Sequence, residues 1–243
     1  MKNYTGTIIY ALAIIMGTII IGAAYKYKFK SSETISVTGM AEKDFSSDLI
    51  VWGGSFTKNG MVIKDAYAAL KQDENAIKSY LNQKGIPDSC IIFTSVNMTK
   101  NFQRQYDERG NLTSEVFSGF SLSENVRVES SEIDRVEKMS REITELLEKG
   151  IELNSNAPEY YYTKLNELKI DLLAKAGADA KLRAETIAKN SGSSLGSIKK
   201  ATMGVFQITG KNVNEIYSYG GSFNTSSKLK TASITLKSDF VID

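Results

Sequence analysis

The chain is constrained most by an uncharged, apolar run near its amino terminus, Gly6–Tyr25, which reads GTIIYALAIIMGTIIIGAAY. A helix rises about 1.5 Å per residue, so a run of about twenty residues can cross a hydrocarbon core of about 30 Å. The run is apolar on every side, and tyrosines lie near both of its ends, where membrane interfaces favour them. This pattern predicts a transmembrane anchor over residues 6–25, with a short flank before it (1–5) and a basic linker after it (26–32).

A cleaved signal peptide is the alternative reading of the same run. Gly22 and Ala24 have the small-residue spacing of a cleavage site after Ala24. We favour the uncleaved anchor because the run is longer than the usual apolar core of a signal peptide. The lysines that follow the run slightly outweigh the positive charge before it, which by itself would place the main domain in the cytoplasm.

Composition narrows the chemistry open to the main domain, residues 33–243. The net charge of the chain is +2, and the lysines of residues 1–30 supply the excess, so the remainder is nearly neutral. A nearly neutral domain lacks the basic surface of a nucleic-acid-binding protein, and we expect no nucleic-acid partner. The chain has no histidine and one cysteine, Cys90, which excludes a histidine base, an intrachain disulfide and a thiolate metal cluster. We identify no catalytic, cofactor-binding or metal-ligating residue in the sequence.

Strand patterns and helix patterns alternate along the main domain. Apolar residues recur at three- and four-residue steps in three segments, 63–81, 133–147 and 164–190, which predicts three amphipathic helices. We expect the second to begin at Ser131, with Asp134 in the capping-box position, and to end at Gly150. The strand signals between these segments, including a strand-like stretch from Leu195 to Thr209, complete the order ββαββ-αβαββ. Adjacent hairpins favour antiparallel pairing, so we expect an α+β fold with a mostly antiparallel sheet and interleaved helices.

Two connecting segments stand out. A strand is predicted over Cys90–Met98, and the polar stretch Asn101–Thr113, with Gly110 and Asn111 at its tip, is typical of the bend of a long hairpin. The segment Gly210–Lys230 is rich in glycine, serine, asparagine and tyrosine. Loops of about twenty residues are usually functional or disordered.

Residues 35–56, 176–204 and 231–242 carry three motifs that, in this order, resemble the SIMPL-domain family. AGADAKLRAETIAKNSGSSLGSIKKATMG (Ala176–Gly204) resembles its signature helix, small-residue turn and following strand. ISVTGMAEKDFSSDLIVWGGSF (Ile35–Phe56) resembles its first hairpin, and TASITLKSDFVI (Thr231–Ile242) resembles its closing strand. Together they cover nearly all of residues 33–243.

The resemblance implies a bacterial envelope protein whose main domain lies outside the cytoplasm, and this implication outweighs the lysine count around the anchor. Some relatives are linked to protection against oxidative stress, and some assemble into ring-like or channel-like oligomers. The family has no established catalytic motif, so the resemblance supplies no active-site residues. The long polar insert at Asn101–Thr113 departs from the commoner family pattern.

Several residues invite a functional interpretation that the sequence does not sustain. Cys90 opens an apolar strand without a nearby positive charge and is expected to be structural. The glycine pairs Gly53-Gly54 and Gly220-Gly221 do not precede a helix with a Lys-Ser/Thr pair, so they are not phosphate loops, and we expect sheet curvature and loop flexibility there. The tyrosines could form a recognition surface, although a half-buried strand and a loop explain them as well: Tyr160, Tyr161, Tyr162, Tyr217 and Tyr219.

Three functions stay open at this point. The first, which we favour, is a non-catalytic protein of the cell envelope that is held by the lipid bilayer through residues 6–25 and forms homo-oligomers through strand edges and the loop at 210–230. The second is a module that binds a small ligand beneath the tyrosine-rich loop. The third is a hydrolase that uses serine, lysine or carboxylate groups.

Overall fold

The computed structural model describes residues 5–30, 33–214 and 218–242. Along the chain, α-helices and β-strands follow in this order: α1 (Thr5–Lys30), β1 (Thr34–Ser46), β2 (Leu49–Gly60), α2 (Ile63–Gln83), β3 (Ile91–Phe93), β4 (Asn97–Tyr106), β5 (Leu112–Ser130), α3 (Ile133–Glu142), β6 (Leu153–Ser155), β7 (Glu159–Tyr161), α4 (Leu165–Asn190), β8 (Leu195–Met203), β9 (Gln207–Gly210) and β10 (Leu229–Ile242). Single 3-10 segments, Asp88–Cys90 and Ile143–Lys149, precede β3 and follow α3. The α+β class with antiparallel strand pairing is confirmed.

Helix α1 contains the apolar run. Within it, Ile8–Tyr27 is long and apolar enough to cross a membrane, and none of that span is buried against the rest of the protein. A signal sequence near the amino terminus would meet the same description. The helix continues through Lys30, so the first part of the predicted linker is helical. Residues 1–4 of the predicted flank lie outside the described residues, and so do residues 31 and 32 of the predicted linker.

The main domain consists of two halves, each a sheet with helices on one face. In the small half, β10 pairs with β1 on one side and with β8 and β9 on the other, all antiparallel. Helix α4 packs on this sheet through a row of alanines that lie four residues apart. These fully buried alanines are Ala176, Ala180, Ala184 and Ala188.

The close approach of α4 depends on Gly39 in β1. A Cβ atom at Gly39 would lie 2.1 Å from the carbonyl oxygen of Ala176 and 2.5 Å from the amide nitrogen of Ala180. Only glycine leaves room for a helix backbone this close to a strand. The edge of β1 is covered at the same place, because the amide of Met40 donates to the Asp179 carboxylate at 2.8 Å.

In the large half, β5 and β2 form the centre of a six-stranded antiparallel sheet. Helices α2 and α3 cover one face of this sheet. The core between the sheet and these two helices is built from large side chains. It includes the fully buried Ile50, Trp52, Phe56, Leu70, Ile77, Leu81, Val128 and Met139. The indole nitrogen of Trp52 donates to the Ser155 hydroxyl at 3.0 Å, so the polar atom of the largest core residue has a partner.

The structure corrects the predicted first hairpin. Strands β1 and β2 follow one another in the chain but belong to different sheets, because β1 pairs with β10 and β2 pairs with β5. The chain crosses between the halves at Ser47 and Asp48, whose amides donate to the carbonyls of Lys228 and Tyr161. The expected turn is therefore the point at which the chain passes from one half to the other.

Three local predictions are also corrected. The strand expected over Cys90–Met98 is split, since Cys90 ends a 3-10 segment and residues 94–96 separate β3 from β4. The strand expected from Leu195 to Thr209 is interrupted at residues 204–206, where the Gly204 amide donates to the Thr235 carbonyl. Ser131 does not cap α3; the preceding residue, Ser130, accepts a hydrogen bond from the Glu132 amide instead.

Candidate functional site

Residues that resemble catalytic groups are dispersed. Cys90 is half-buried and packs against the core of the large half. Across residues 5–30, 33–214 and 218–242, no three histidine, cysteine or acidic residues are grouped as metal ligands would be. The pair Gly53-Gly54 lies within β2, in a β2–β5 ladder that runs from Ile50 to Gly60 without a register shift. Gly221 has a φ of 97°, a conformation that favours glycine in a loop.

The tyrosines do not form one surface. Tyr160 packs into the core of the large half and donates to Glu137 at 2.9 Å, whereas Tyr161 lies on the other side of the strand and donates to Glu159. Burial, followed by the hydrogen bond to Glu137, raises the pKa of Tyr160 to about 12. Tyr162 packs against Phe45 of the small half, and Tyr219 is fully exposed. Tyr217 lies outside the described residues.

The described part of the loop at 210–230 is held against its own chain. The Gln207 amide group donates to the Ser218 carbonyl and accepts from the Ser222 amide. Ile208 forms a parallel bridge with Phe223, and the Tyr160 amide donates to the Thr225 carbonyl at 2.7 Å. These bonds hold residues 222–224 along the edge of β9 and keep residues 218–225 close to the small sheet.

A cavity of about 530 Å³ lies between this loop and the sheet. Its lining combines apolar side chains with a few polar ones: Met40, Val205, Gln207, Ser218, Tyr219, Ser233, Ile234 and Thr235. This volume falls in the range of small-molecule sites. The Gln207 amide group is already bonded to the loop, so the cavity offers mainly apolar contact.

A buried group of charges lies between α2 and β5 in the large half. Glu124 is 2% exposed, and its carboxylate lies 3.8 Å from the Lys71 ammonium. Burial, and next the neighbouring Glu74, raise the pKa of the Glu124 carboxyl. Lys71 also forms an ion pair with Glu74, and Lys58 pairs with Asp73 at 2.9 Å. Two ammonium groups therefore face three carboxylates, and these ion pairs offset only part of the cost of burying charge.

Several exposed apolar side chains lie together on a hairpin arm, defined here as residues 102–117. The β2–β5 ladder ends at the pair Gly60–Phe120, and the β4–β5 ladder continues for several rungs beyond it. The tip is the turn Asp107–Asn111, where the Asp107 carboxylate accepts from backbone amides. The predicted long hairpin is confirmed, although the strands extend further into the polar stretch than expected.

One face of the arm is aromatic. Phe102 and Phe117 are cross-strand partners with ring centroids 5.8 Å apart, and they are 50% and 36% exposed. Phe120 continues the row at 5.1 Å from Phe117 and packs against the large core. Two rungs further out, and so on the same face, Arg104 and Glu115 form an ion pair at 2.7 Å. The opposite face presents Gln103 and Val116.

Together these features describe a class of protein: an α+β domain with two helix-covered antiparallel sheets, preceded by an apolar helix that could span a membrane. Comparison with protein families then identifies the chain. The SIMPL family, described as a protein of unknown function (DUF541), matches residues 35–235, and the chain belongs to this family. The predicted family is therefore confirmed. No curated protein matches the chain.

Proposed function

We propose that this protein is a membrane-anchored assembly protein of the bacterial cell envelope, whose copies associate through the hairpin arm outside the cytoplasm. In this proposal α1 spans the bilayer as an uncleaved anchor. The observation that carries the proposal is the exposed aromatic face of the arm, because soluble proteins rarely expose a contiguous row of large apolar side chains without a partner. No catalytic role is proposed.

A second copy of the chain fits this face. The aromatic pair Phe102 and Phe117 lies beside the pair Arg104 and Glu115, so two arms packed face to face can bury their rings and exchange the partners of their ion pairs. In a two-fold dimer the same patch meets itself, so a patch that carries both signs of charge can set each charge opposite its counterpart. Anchoring by α1 would also confine the copies to one membrane and raise their effective concentration.

The arm replaces the loop at 210–230 as the proposed contact. The described part of that loop already makes hydrogen bonds to Gln207, Ile208 and Tyr160 of its own chain. The rings of Phe102 and Phe117 contact each other and Phe120 but stay open to solvent on their outer side.

The mass of the full chain in lipid nanodiscs or detergent tests the proposal. We expect a discrete oligomer for the natural sequence. The double variant Phe102→Ser/Phe117→Ser should weaken association by at least about 30-fold, as the loss of a central aromatic contact does. The matched control, Gln103→Ser/Val116→Ser, alters the neighbouring rung, whose side chains lie on the opposite face, and should assemble normally. A monomeric natural chain at high concentration, or equal behaviour of the two variants, would exclude the arm as the contact.

Orientation and retention of the anchor need a separate test. A Cys90→Ser background with Glu108→Cys places a single thiol at the arm tip, which is exposed. We expect a membrane-impermeant thiol reagent to label it in intact spheroplasts, and the mass of the mature chain to include residues 6–25. Labelling only after lysis would place the domain in the cytoplasm, and a mass that lacks those residues would make the run a signal peptide.

Binding of a small apolar molecule in the cavity beneath residues 218–225 is a second candidate function, and the size and lining of that cavity favour it. Thr235→Trp should fill the cavity and reduce the fluorescence enhancement of anilinonaphthalene sulfonate. Lys237→Trp, on the same strand and face but outside the lining, is the control. Equal enhancement with both variants would show that the dye binds elsewhere.

A further inference from the structure

A polar depression of about 530 Å³ lies on the outer face of the large sheet, opposite the face that α2 and α3 cover. It extends across β2 and β5 to the segment between β6 and β7. Gly53 and Gly54 belong to its floor, and polar side chains surround them: Thr94, Asn125, Arg127, Asn156, Glu159 and Tyr161. Neither the hairpin arm nor the cavity of the small half shares a residue with it.

Gly53 is a glycine that packing does not require. A Cβ atom there would meet the Val126 carbonyl at 3.6 Å and the Asn156 side-chain nitrogen at 3.7 Å, which are ordinary contacts. Its φ is not positive, and the ladder with β5 is continuous. Glycine inside a strand weakens the strand and often marks a place where a ligand approaches the backbone closely.

The adjacent glycine shows the contrast. A Cβ atom at Gly54 would press on the Trp52 ring at 3.3 Å and the Asn154 carbonyl at 3.2 Å, so the core accounts for that residue. Gly53 faces the other side of the sheet, where a side chain would occupy the depression. Glycine at position 53 therefore leaves the space above the backbone open.

The side-chain amides of Asn125 and Asn156 border this space, and hydrogen bonds hold the backbone of both residues. The Asn156 amide nitrogen of the main chain donates to the Gly53 carbonyl at 2.9 Å, and that of Asn125 donates to the Thr94 hydroxyl at 3.1 Å. The side-chain amides of Asn125 and Asn156 make no hydrogen bond within the described residues. Each offers donors and an acceptor, and their fixed backbones lower the entropic cost of engaging a ligand.

The charges at the rim disfavour an anionic ligand. The Arg127 guanidinium pairs with Glu129 at 3.2 Å, and the Tyr161 hydroxyl donates to Glu159 at 2.8 Å. Among the described residues that line the depression, the cation Arg127 is therefore paired and Glu159 keeps its negative charge, so a phosphate or carboxylate is not favoured. Amide groups match hydroxyl and acetamido groups, which also both donate and accept, and the half-buried Tyr161 ring supplies a flat apolar contact.

We propose that this depression is a binding site for a neutral saccharide, with Asn125 and Asn156 bonding its hydroxyl or acetamido groups above the open backbone of Gly53. The site is independent of the arm, so its occupancy and the assembly of the chain are separable properties. The Tyr161 ring would lie against the apolar face of a sugar ring.

The test uses the full chain in a detergent without a sugar headgroup, with the trisaccharide of N-acetylglucosamine as the probe. Saturation-transfer NMR should show binding with a dissociation constant of about 1 mM or tighter, the range of a few hydrogen bonds and one ring contact. Gly53→Val should weaken binding at least about 10-fold while the thermal midpoint stays equal or rises, because valine favours strands. Asn156→Ala should weaken binding to a similar extent, about 10-fold, because two or more hydrogen bonds are lost.

Matched controls separate the site from general effects on the sheet. Thr57→Val introduces the same side chain on the same strand and face outside the depression, and Asn154→Ala removes a nearby exposed amide; both should bind normally. Binding of the trisaccharide but not of the monosaccharide would indicate a glycan chain as the ligand, and equal binding would indicate a single sugar. Absence of binding at about 10 mM trisaccharide, or natural affinity in Gly53→Val and Asn156→Ala, would overturn the proposal.

Discussion

Both halves of the main domain pack helices against a sheet, but one half uses large side chains at the contact and the other uses small ones. The large half holds its helices above the sheet on bulky residues such as Trp52, Phe56 and Leu70, all fully buried. The small half brings α4 almost into backbone contact with β1, through buried alanines on the helix and Gly39 on the strand. Large side chains remove much apolar area from water, whereas small ones gain dispersion contacts between backbones.

This difference determines which changes each half tolerates. The large core loses stability when volume is removed, because a cavity is left behind. The small core loses stability when volume is added, because the helix backbone must move. Trp52 is the only tryptophan in the chain, so its fluorescence reports on the large half while circular dichroism reports on both.

The largest effect is expected from Trp52→Ala. It removes the largest buried side chain and its hydrogen bond to Ser155, and should lower the free energy of unfolding by about 3–5 kcal/mol. Chemical unfolding followed by circular dichroism measures this loss. Tyr219→Ala removes a fully exposed ring and should change stability by less than about 0.5 kcal/mol. A small loss for Trp52→Ala would mean that the large core can collapse around the space.

Addition of one methyl group to the small half should cost nearly as much. Gly39→Ala places a Cβ atom against the backbone of Ala176 and Ala180, and overpacking of this kind costs about 3 kcal/mol. The control is Gly177→Ala on the facing helix, where the nearest atom would be 3.7 Å away, and it should stabilise the helix by up to about 1 kcal/mol. Similar results for both glycines would contradict the close approach of α4 to β1.

The link between the halves can be weakened at Lys230. This lysine is 2% exposed, and its ammonium donates to the carbonyls of Tyr160, at 2.9 Å, and Asn224. Lys230→Met keeps the volume but withdraws the donor from buried carbonyls, at a cost of about 1–3 kcal/mol. Lys237→Met, an exposed lysine of the same strand, is the control. If Lys230 couples the halves, its replacement should also separate the fluorescence and circular dichroism transitions.

The smallest expected effects are on pH dependence, and they have opposite signs in the two halves. The pKa of Glu124 is raised by burial and Glu74, so its contribution is fully present below the ordinary glutamate pKa and is lost as pH rises through the raised value. The pKa of Asp179 is lowered by the Met40 amide and Arg183, so its contribution is present above the ordinary aspartate pKa and is lost as pH falls.

Thermal unfolding across the acidic range compares these two carboxyls. Glu124→Gln should stabilise the chain at neutral pH, and Asp179→Asn should destabilise it there. Both differences should shrink in acid, where the natural carboxyls are protonated. Shifts of the same sign for the two variants would show that neighbouring charges, rather than burial and the Met40 amide, control them.

Much of the local structure could be predicted from the sequence. The apolar stripes of α2 and α4 recur at helical spacing, and the hairpin tip at Gly110 and Asn111 carries its own turn signal. The separation of β1 from β2 could not be predicted, because Ser47 and Asp48 resemble an ordinary turn and only the partner strands β10 and β5 direct the chain into different sheets. Strand pairing depends on residues far away in the chain, and a local window does not contain them.

The candidate sites, too, could be predicted from the sequence only in part. An odd polar insert at Asn101–Thr113 was visible in the sequence, but the aromatic face of the arm needed the register that sets Phe102 opposite Phe117. Gly53 and Gly54 are neighbouring glycines whose different roles the sequence does not reveal. They differ because the pleat of β2 turns one toward Trp52 and the other toward Asn125 and Asn156.

The sequence by itself therefore determined the apolar helix, the α+β class, the family and the boundaries of α2 and α4 to within a few residues, because these depend on periodicity and on local turn chemistry. Only the tertiary structure decided that the sheet is divided into two halves. It also decided that Gly39 admits a helix backbone, and that asparagines 31 residues apart border one depression. These properties arise where distant segments meet, and their energies belong to the contact rather than to either segment.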